Sequence, residues 1–189
     1  MAARADSASA TRDRIVREAA AMLLEEAHED VTLTRIAKAA SVSHQTVLNH
    51  FQSKDGVLRA VAEHFGEQTW SVRYDAEPGD VPGAVRVLVD DYERIGDANF
   101  RWAASADRIS TLGEILDGAR AGHQEWLVAM FGARLPKAAT ARRRAVNALH
   151  AATDVYTWKL LRRDLGQTRN ETEKTIADLV VGILEGETP

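Results

Sequence analysis

The chain has 189 residues, a formal net charge of −4 and no cysteine. That length allows a small domain beside a larger one, and the missing thiols exclude a disulfide framework and a thiolate metal site. No apolar run approaches the ~18 residues of a membrane span, and the N-terminal MAARADSASA lacks the apolar core of a signal peptide, so a cytoplasmic protein with no membrane partner is expected.

Residues 1–10 are small and polar, with Arg4, and read as a flexible N-terminal arm that could reach phosphate. Thr11 can cap a first helix, with Asp13 near its positive end. Ile15, Ala19, Met22, Leu23 and Ala27 give that helix an apolar face. Arg14 and Arg17 are expected in solvent.

Residues 31–65 follow, VTLTRIAKAASVSHQTVLNHFQSKDGVLRAVAEHF. Thr32 can cap a short helix, because its hydroxyl accepts from the open N–H groups of the first turn. Val31 and Ile36 can staple its start. Ile36, Ala37 and Ala40 form its apolar face, and a tight turn at Ser41 and Val42 ends it. Ser43 caps a second helix. There His44, Gln45, Thr46, Asn49 and His50 alternate with Val47, Leu48 and Phe51. A short amphipathic helix after a tight turn, polar at its start, suits the DNA major groove. Ser53 then caps a long helix, which sets the Lys54 N–H at a positive helix end, where a phosphate oxygen fits.

Thr32, Ile36, Ala37, Ala40, Val42, Ser43, Thr46, His50, Phe51, Ser53, Lys54 and Leu58 stand at the spacing of a known DNA-binding domain. In this the sequence resembles the tetracycline-repressor (TetR) family. The resemblance implies an all-α chain: a three-helix helix-turn-helix domain over residues 11–53, completed by the start of the next helix, then a helical ligand-binding and dimerisation domain over 54–189. It also implies a transcriptional regulator, most often a repressor, that grips a palindromic operator as a homodimer and responds to a small-molecule inducer. The expected DNA contacts are Thr32, Thr34, Lys38, Ser43, His44, Gln45, Thr46, Asn49, His50 and Lys54. Two positions depart from the family. Ser41 replaces the usual turn glycine, and Leu48 replaces a tyrosine that contacts phosphate.

Charge alone does not announce a DNA binder. Residues 1–75 hold nine Lys/Arg and eleven Asp/Glu, a balance of about −2. Phosphate affinity depends on local cations rather than on the total. Arg4, Arg12, Lys38 and Lys54 could serve one face, while Glu25, Glu26, Glu29 and Asp30 crowd the end of the first helix.

The helix from Lys54 runs on through Val57, Leu58, Val61, Phe65 and Trp70 to a break at DAEPGDVPG, residues 75–83. Helical periodicity then predicts a helix from Ala84 to Ile95, a short one around Trp102, and a long one from Ile109 to Phe131 that can loosen at Gly118 or Gly122. Another opens at Pro136 and ends at Gly166, and the last runs from Asn170 to Gly186. The short connector makes these two antiparallel. Alanines 141, 145, 148 and 152 allow close approach, so two such pairs can form a dimer as a four-helix bundle.

Phe100, Trp102, Trp126, Met130, Phe131 and Trp158 can line an apolar cavity, with Asp107, His123 or Asp154 as a polar anchor. The resemblance places an inducer pocket in this region. A mostly apolar or aromatic ligand is expected, cationic if an acid faces the cavity. Two other readings stay open: a helical module that binds only protein, and a small helical enzyme built on His123, His150 and Asp154. A lone i, i+4 His–Asp pair is a weak signal, and no glycine-rich phosphate loop, nucleophile elbow or HExxH is present. No cofactor, metal or catalytic residue is expected.

Overall fold

A computed structural model describes the backbone of residues 2–186 and the side chains of residues 8–186. Every regular element among the described residues is helical. The order is α1 (Ala2–Glu25), α2 (Leu33–Ala39), α3 (His44–Phe51), α4 (Lys54–Arg73), α5 (Val81–Ser105), α6 (Ser110–Phe131), α7 (Ala139–Thr153), α8 (Val155–Lys159), a π-helical turn (Leu160–Asp164) and α9 (Arg169–Glu185). Two compact units emerge. Unit 1 comprises Met1–Glu67 and Arg101–Ile115, and unit 2 comprises Gln68–Phe100 and Leu116–Pro189.

Unit 1 closes on one apolar core. Ile15, Val16, Ala19 and Leu23 of α1 are buried with Ile36 and Ala37 of α2, Val47 and Phe51 of α3, and Val57, Leu58 and Val61 of α4. In unit 2 the core joins Val85, Leu88, Val89 and Tyr92 of α5, Trp126, Leu127, Met130 and Phe131 of α6, Leu149 of α7, Trp158 of α8, and Ile176 and Val180 of α9. Burial of such stripes supplies most helical stability.

Four stretches differ from the sequence expectation. The backbone is already helical from Ala2, where an arm is expected; Ala2, Ala3, Ala8 and Ala10 favour helix and no Gly or Pro interrupts them. The Arg4 side chain lies outside the described residues. α5 is continuous to Ser105, so no separate helix forms around Trp102, and α6 passes Gly118 and Gly122 without a break. The helix expected from Pro136 to Gly166 is broken at Asp154, whose ψ of 154° is extended. Thr153 Oγ1 donates back to the Leu149 carbonyl at 2.7 Å, competing with the helical ladder. Asp154 then caps α8 by accepting from the Tyr156 N–H. The break frees the Thr153 carbonyl, which accepts from the Tyr92 hydroxyl at 3.0 Å.

The turn between α2 and α3 shows what Ser41 costs. The Val42 N–H donates to the Ala37 carbonyl and the Ser41 N–H to that of Lys38, the pairing of a Schellman C-cap. It places Ser41 at φ 53°, in the left-handed region. An L side chain there costs about 1–2 kcal/mol, and glycine costs about 0.5–1 kcal/mol of unfolded-state entropy. Ser41→Gly should therefore stabilise unit 1 by about 0.5–1 kcal/mol. Urea unfolding of the two proteins checks this; an unchanged or lower midpoint would mean the turn carries no strain.

Candidate nucleic-acid interface and buried polar network

α3 begins at a cap in which Ser43 Oγ accepts from the Thr46 N–H at 3.0 Å and meets Thr46 Oγ1 at 2.8 Å. Val47 and Phe51 anchor the helix inward. His44, Gln45 and Asn49 are exposed, and Thr46 and His50 are half-buried. The Gln45 amide donates to Asn49 Oδ1 at 2.9 Å, so the two amides present one pre-ordered edge. On α2, Thr32 caps by accepting from the Arg35 N–H, and Thr34 and Lys38 are exposed. Leu48 is half-buried and brings no hydroxyl to the surface.

Several cations are already engaged. Arg14 Nε donates to the Ala40 carbonyl at 2.8 Å, closing the C-terminal end of α2, so it is not the solvated residue expected. The Arg12 guanidinium lies 5.2 Å from the Phe51 ring centroid. Lys54 Nζ donates to the His28 carbonyl at 2.5 Å, and burial holds its pKa below the ordinary lysine value. Its ammonium therefore ties α4 to the loop after α1. Ser53 Oγ accepts from the Gly56 N–H, as a helix cap does. Arg35 grips Glu26, which removes one acid from the cluster at the end of α1.

The second arrangement lies inside unit 2. Arg73, in the last turn of α4, and Asp91 of α5 have side chains 5% and 1% exposed and pair at 3.0 Å. Asp91 also accepts from Thr69 Oγ1 at 3.0 Å and Arg94 at 2.8 Å. Arg73 Nη1 meets His123 Nδ1 at 2.8 Å, and His123 Nε2 meets Thr153 Oγ1 at 2.8 Å. Arginine can only donate, so Nδ1 accepts and Nε2 carries the proton. Thr153 passes its own proton to the Leu149 carbonyl. Trp70, Tyr92 and Trp126 face the guanidinium at 5.3–5.5 Å.

Burial, then the charges of Arg73 and His150, hold the His123 pKa well below the usual histidine value. The group is neutral when folded and titrates near pH 6.5 when unfolded. Below that pH the unfolded chain binds the extra proton, so stability falls with pH, by at most about 1.4 kcal/mol per unit. Burial shifts His28 the same way. Melting curves between pH 7.5 and 5.5 should show this loss, and His123→Gln should reduce it. A flat wild-type profile would contradict a neutral His123.

The proposed ligand residues are divided between the two units. Trp126, Met130, Phe131 and Trp158 are ordinary core of unit 2, at 4% exposure or less. His123 belongs to the network. Asp154 caps α8 and stands 3.4 Å from His150 Nε2. Phe100 meets Tyr156 edge-on, with Lys159 Nζ 4.7 Å from its centroid. Trp102 packs against Phe65, and it and Asp107 belong to unit 1. Among the described residues no group of three or more potential metal-ligating side chains exists, and no helix is long and apolar enough to cross a membrane.

Sequence reasoning missed Arg73, Asp91 and Thr153. A signal existed. Phe65, Thr69 and Arg73 share one i, i+4, i+8 stripe, and Asp91 interrupts the stripe from Leu88 to Ile95. A charge on an apolar stripe is buried only when paired.

Residues 15–61, which contain α2 and α3, match the family model described as bacterial regulatory proteins, tetR family. The matched segment is thus similar to the N-terminal segment of that family. Solved structures extend this TetR-like fold beyond the matched segment. A TetR-family transcriptional regulator from Streptomyces coelicolor is 14% identical, with a TM-score of 0.78 over 93% of this chain and 80% of that one. A transcriptional regulator from Rhodococcus sp. Rha1 is 18% identical, with a TM-score of 0.69 over 93% and 96%. The multidrug binding protein EbrR, complexed with imidazole, is 19% identical, with a TM-score of 0.64 over 89% and 88%. No curated protein matches the chain. The match covers α2, the turn at Ser41 and α3, the helix pair with the form of a helix-turn-helix.

Proposed function

We propose that this chain is a TetR-type transcriptional regulator: a cytoplasmic homodimeric repressor, without catalytic activity, that leaves a palindromic operator when a small molecule binds its helical regulatory domain. The observation that carries the reading is α3: capped by Ser43, anchored by Val47 and Phe51, and presenting the paired amides of Gln45 and Asn49 to solvent. Amides of this kind recognise adenine edges in the major groove. His44, Thr46 and His50, with Thr32, Thr34 and Ser43 at the two helix starts and Lys38 in the last turn of α2, supply the remaining contacts. Lys54 contributes through its backbone N–H at the start of α4 rather than through its engaged ammonium.

Dimerisation through the last helices is supported by large apolar side chains left about half exposed in the single chain. Tyr156, Leu160, Leu165 and Leu179 are 44–63% exposed. Ligand response is supported by a fold relative described as a multidrug binding protein. α4 begins in unit 1 and ends in unit 2, which makes it the element through which a ligand could alter the spacing of two reading heads set roughly 34 Å apart. A coupling of a few kcal/mol suffices for such a switch.

Gln45→Ala should weaken binding to the preferred site by about 1–3 kcal/mol and relax one base position. Fluorescence anisotropy on a set of single-base operator variants reads both quantities. Unchanged affinity and unchanged base preference would put the reading face elsewhere.

A further inference from the structure

We infer that unit 2 takes a carboxylate ligand with an apolar or aromatic body, held by Arg73 among Trp70, Tyr92 and Trp126. The inference rests on the ligand-responsive reading above and fixes the chemical class. Arg73 is 4% exposed, and its Nε–H is buried with no acceptor. Its Nη groups are engaged by Asp91 and His123, which leaves the Nε–H without a partner. A guanidinium N–H donates well to a carboxylate oxygen. A buried donor without an acceptor is rare in native proteins and calls for a missing partner.

The surroundings set the sign of that partner. The three ring faces that would cage a cation are occupied by the Arg73 guanidinium itself. Asp91, the acid that would attract a cationic ligand, is consumed by Arg73, Arg94 and Thr69. Two guanidinium groups thus share one carboxylate, and a second anion finds an attractive field where a second cation finds repulsion. His123 adds no charge: its Nδ1 accepts from Arg73 and its Nε2–H is taken by Thr153. Its ring stands edge-on to that of His150, 4.9 Å away, and His150 Nδ1 is a second buried nitrogen with no partner. The cationic inducer admitted by the sequence reading is therefore replaced by an acidic one.

Calorimetric titration of the full chain with 2-naphthoate, 3-phenylpropionate and decanoate, each beside its carboxamide and the corresponding amine, tests this. At least one acid should bind about tenfold more tightly than its amide, and the amines should not compete. Arg73→Lys, which keeps the charge and loses the fork, should erase most of that preference. Arg73→Met with Asp91→Leu removes both charges together and should abolish it without leaving a lone buried carboxylate. The inference is overturned if no acid in the set binds, if an amide or amine binds as well as its acid, or if the preference survives in both variants. Acids that bind at Arg73 but leave DNA affinity unchanged would support the site and sink the release mechanism. Neutral or cationic compounds that release DNA while the acids do not bind would sink the acid class and leave the release mechanism standing.

Discussion

Replacing Leu160 and Leu179 together by glutamate should turn the protein into a folded monomer that no longer holds its operator. Both side chains are nearly half exposed in the single chain, at 48% and 44%, so the substitutions remove little intramolecular packing. In a homodimer built on the last helices they would place four carboxylates in an apolar interface, each costly to desolvate. Two linked reading heads gain about 10²–10⁴ in affinity over one. Loss of the dimer should therefore lower operator affinity by more than a hundredfold, with helical content unchanged. Sedimentation equilibrium and circular dichroism read the two sides of this. A double variant that stays dimeric would place the interface on another surface.

Gly56→Ala should be the most damaging single methyl in unit 1. A Cβ built on Gly56 would stand 2.0 Å from the Phe51 carbonyl oxygen and 3.0 Å from its carbon, both backbone atoms at the end of α3. No side-chain rotation can relieve such a clash. The reading helix must move or the first turn of α4 must unwind, at a cost of about 3 kcal/mol. Thermal unfolding should show the loss, and DNA affinity should fall with it. Gly182, on α9, has nothing within 4 Å of its added Cβ, and Gly182→Ala should cost nothing. Equal stability of Gly56→Ala and wild type would contradict this account of how α3 is seated.

The contrast between these glycines shows what a sequence can reveal. The helix-turn-helix was legible because each of its constraints is local. Thr32 and Ser43 are caps, Ile36, Ala37, Val47 and Phe51 are the inward stripe, and Ser41 stands where the chain must turn left-handed. The regulatory half was legible as helices but not as a site. Its aromatics read alike whether they fill a core or line a cavity, and Phe131 and Trp158 fill the core. Asp154 carries no obvious helix-stopping identity; it breaks α7 from α8 because Thr153 and Tyr92, 61 residues apart, need the carbonyl the break exposes. The partnership of Arg73 with Asp91, His123 and three rings is likewise a tertiary fact, since no spacing rule joins residues on three helices. Lys54 illustrates the reverse: its sequence position promised a phosphate contact, and the fold gave its ammonium to the His28 carbonyl instead.

The central claim is that a capped, amide-bearing α3 reads DNA as one half of a symmetric pair. Selection of the wild-type protein against a randomised duplex library, at physiological ionic strength, tests it most directly. The expected result is enrichment of a palindrome whose half-sites are centred about one helical turn, or a whole multiple of it, apart. Adenine steps that Gln45→Ala no longer demands are expected within each half-site. Retention of DNA with no enriched sequence, or no retention at all, would contradict it.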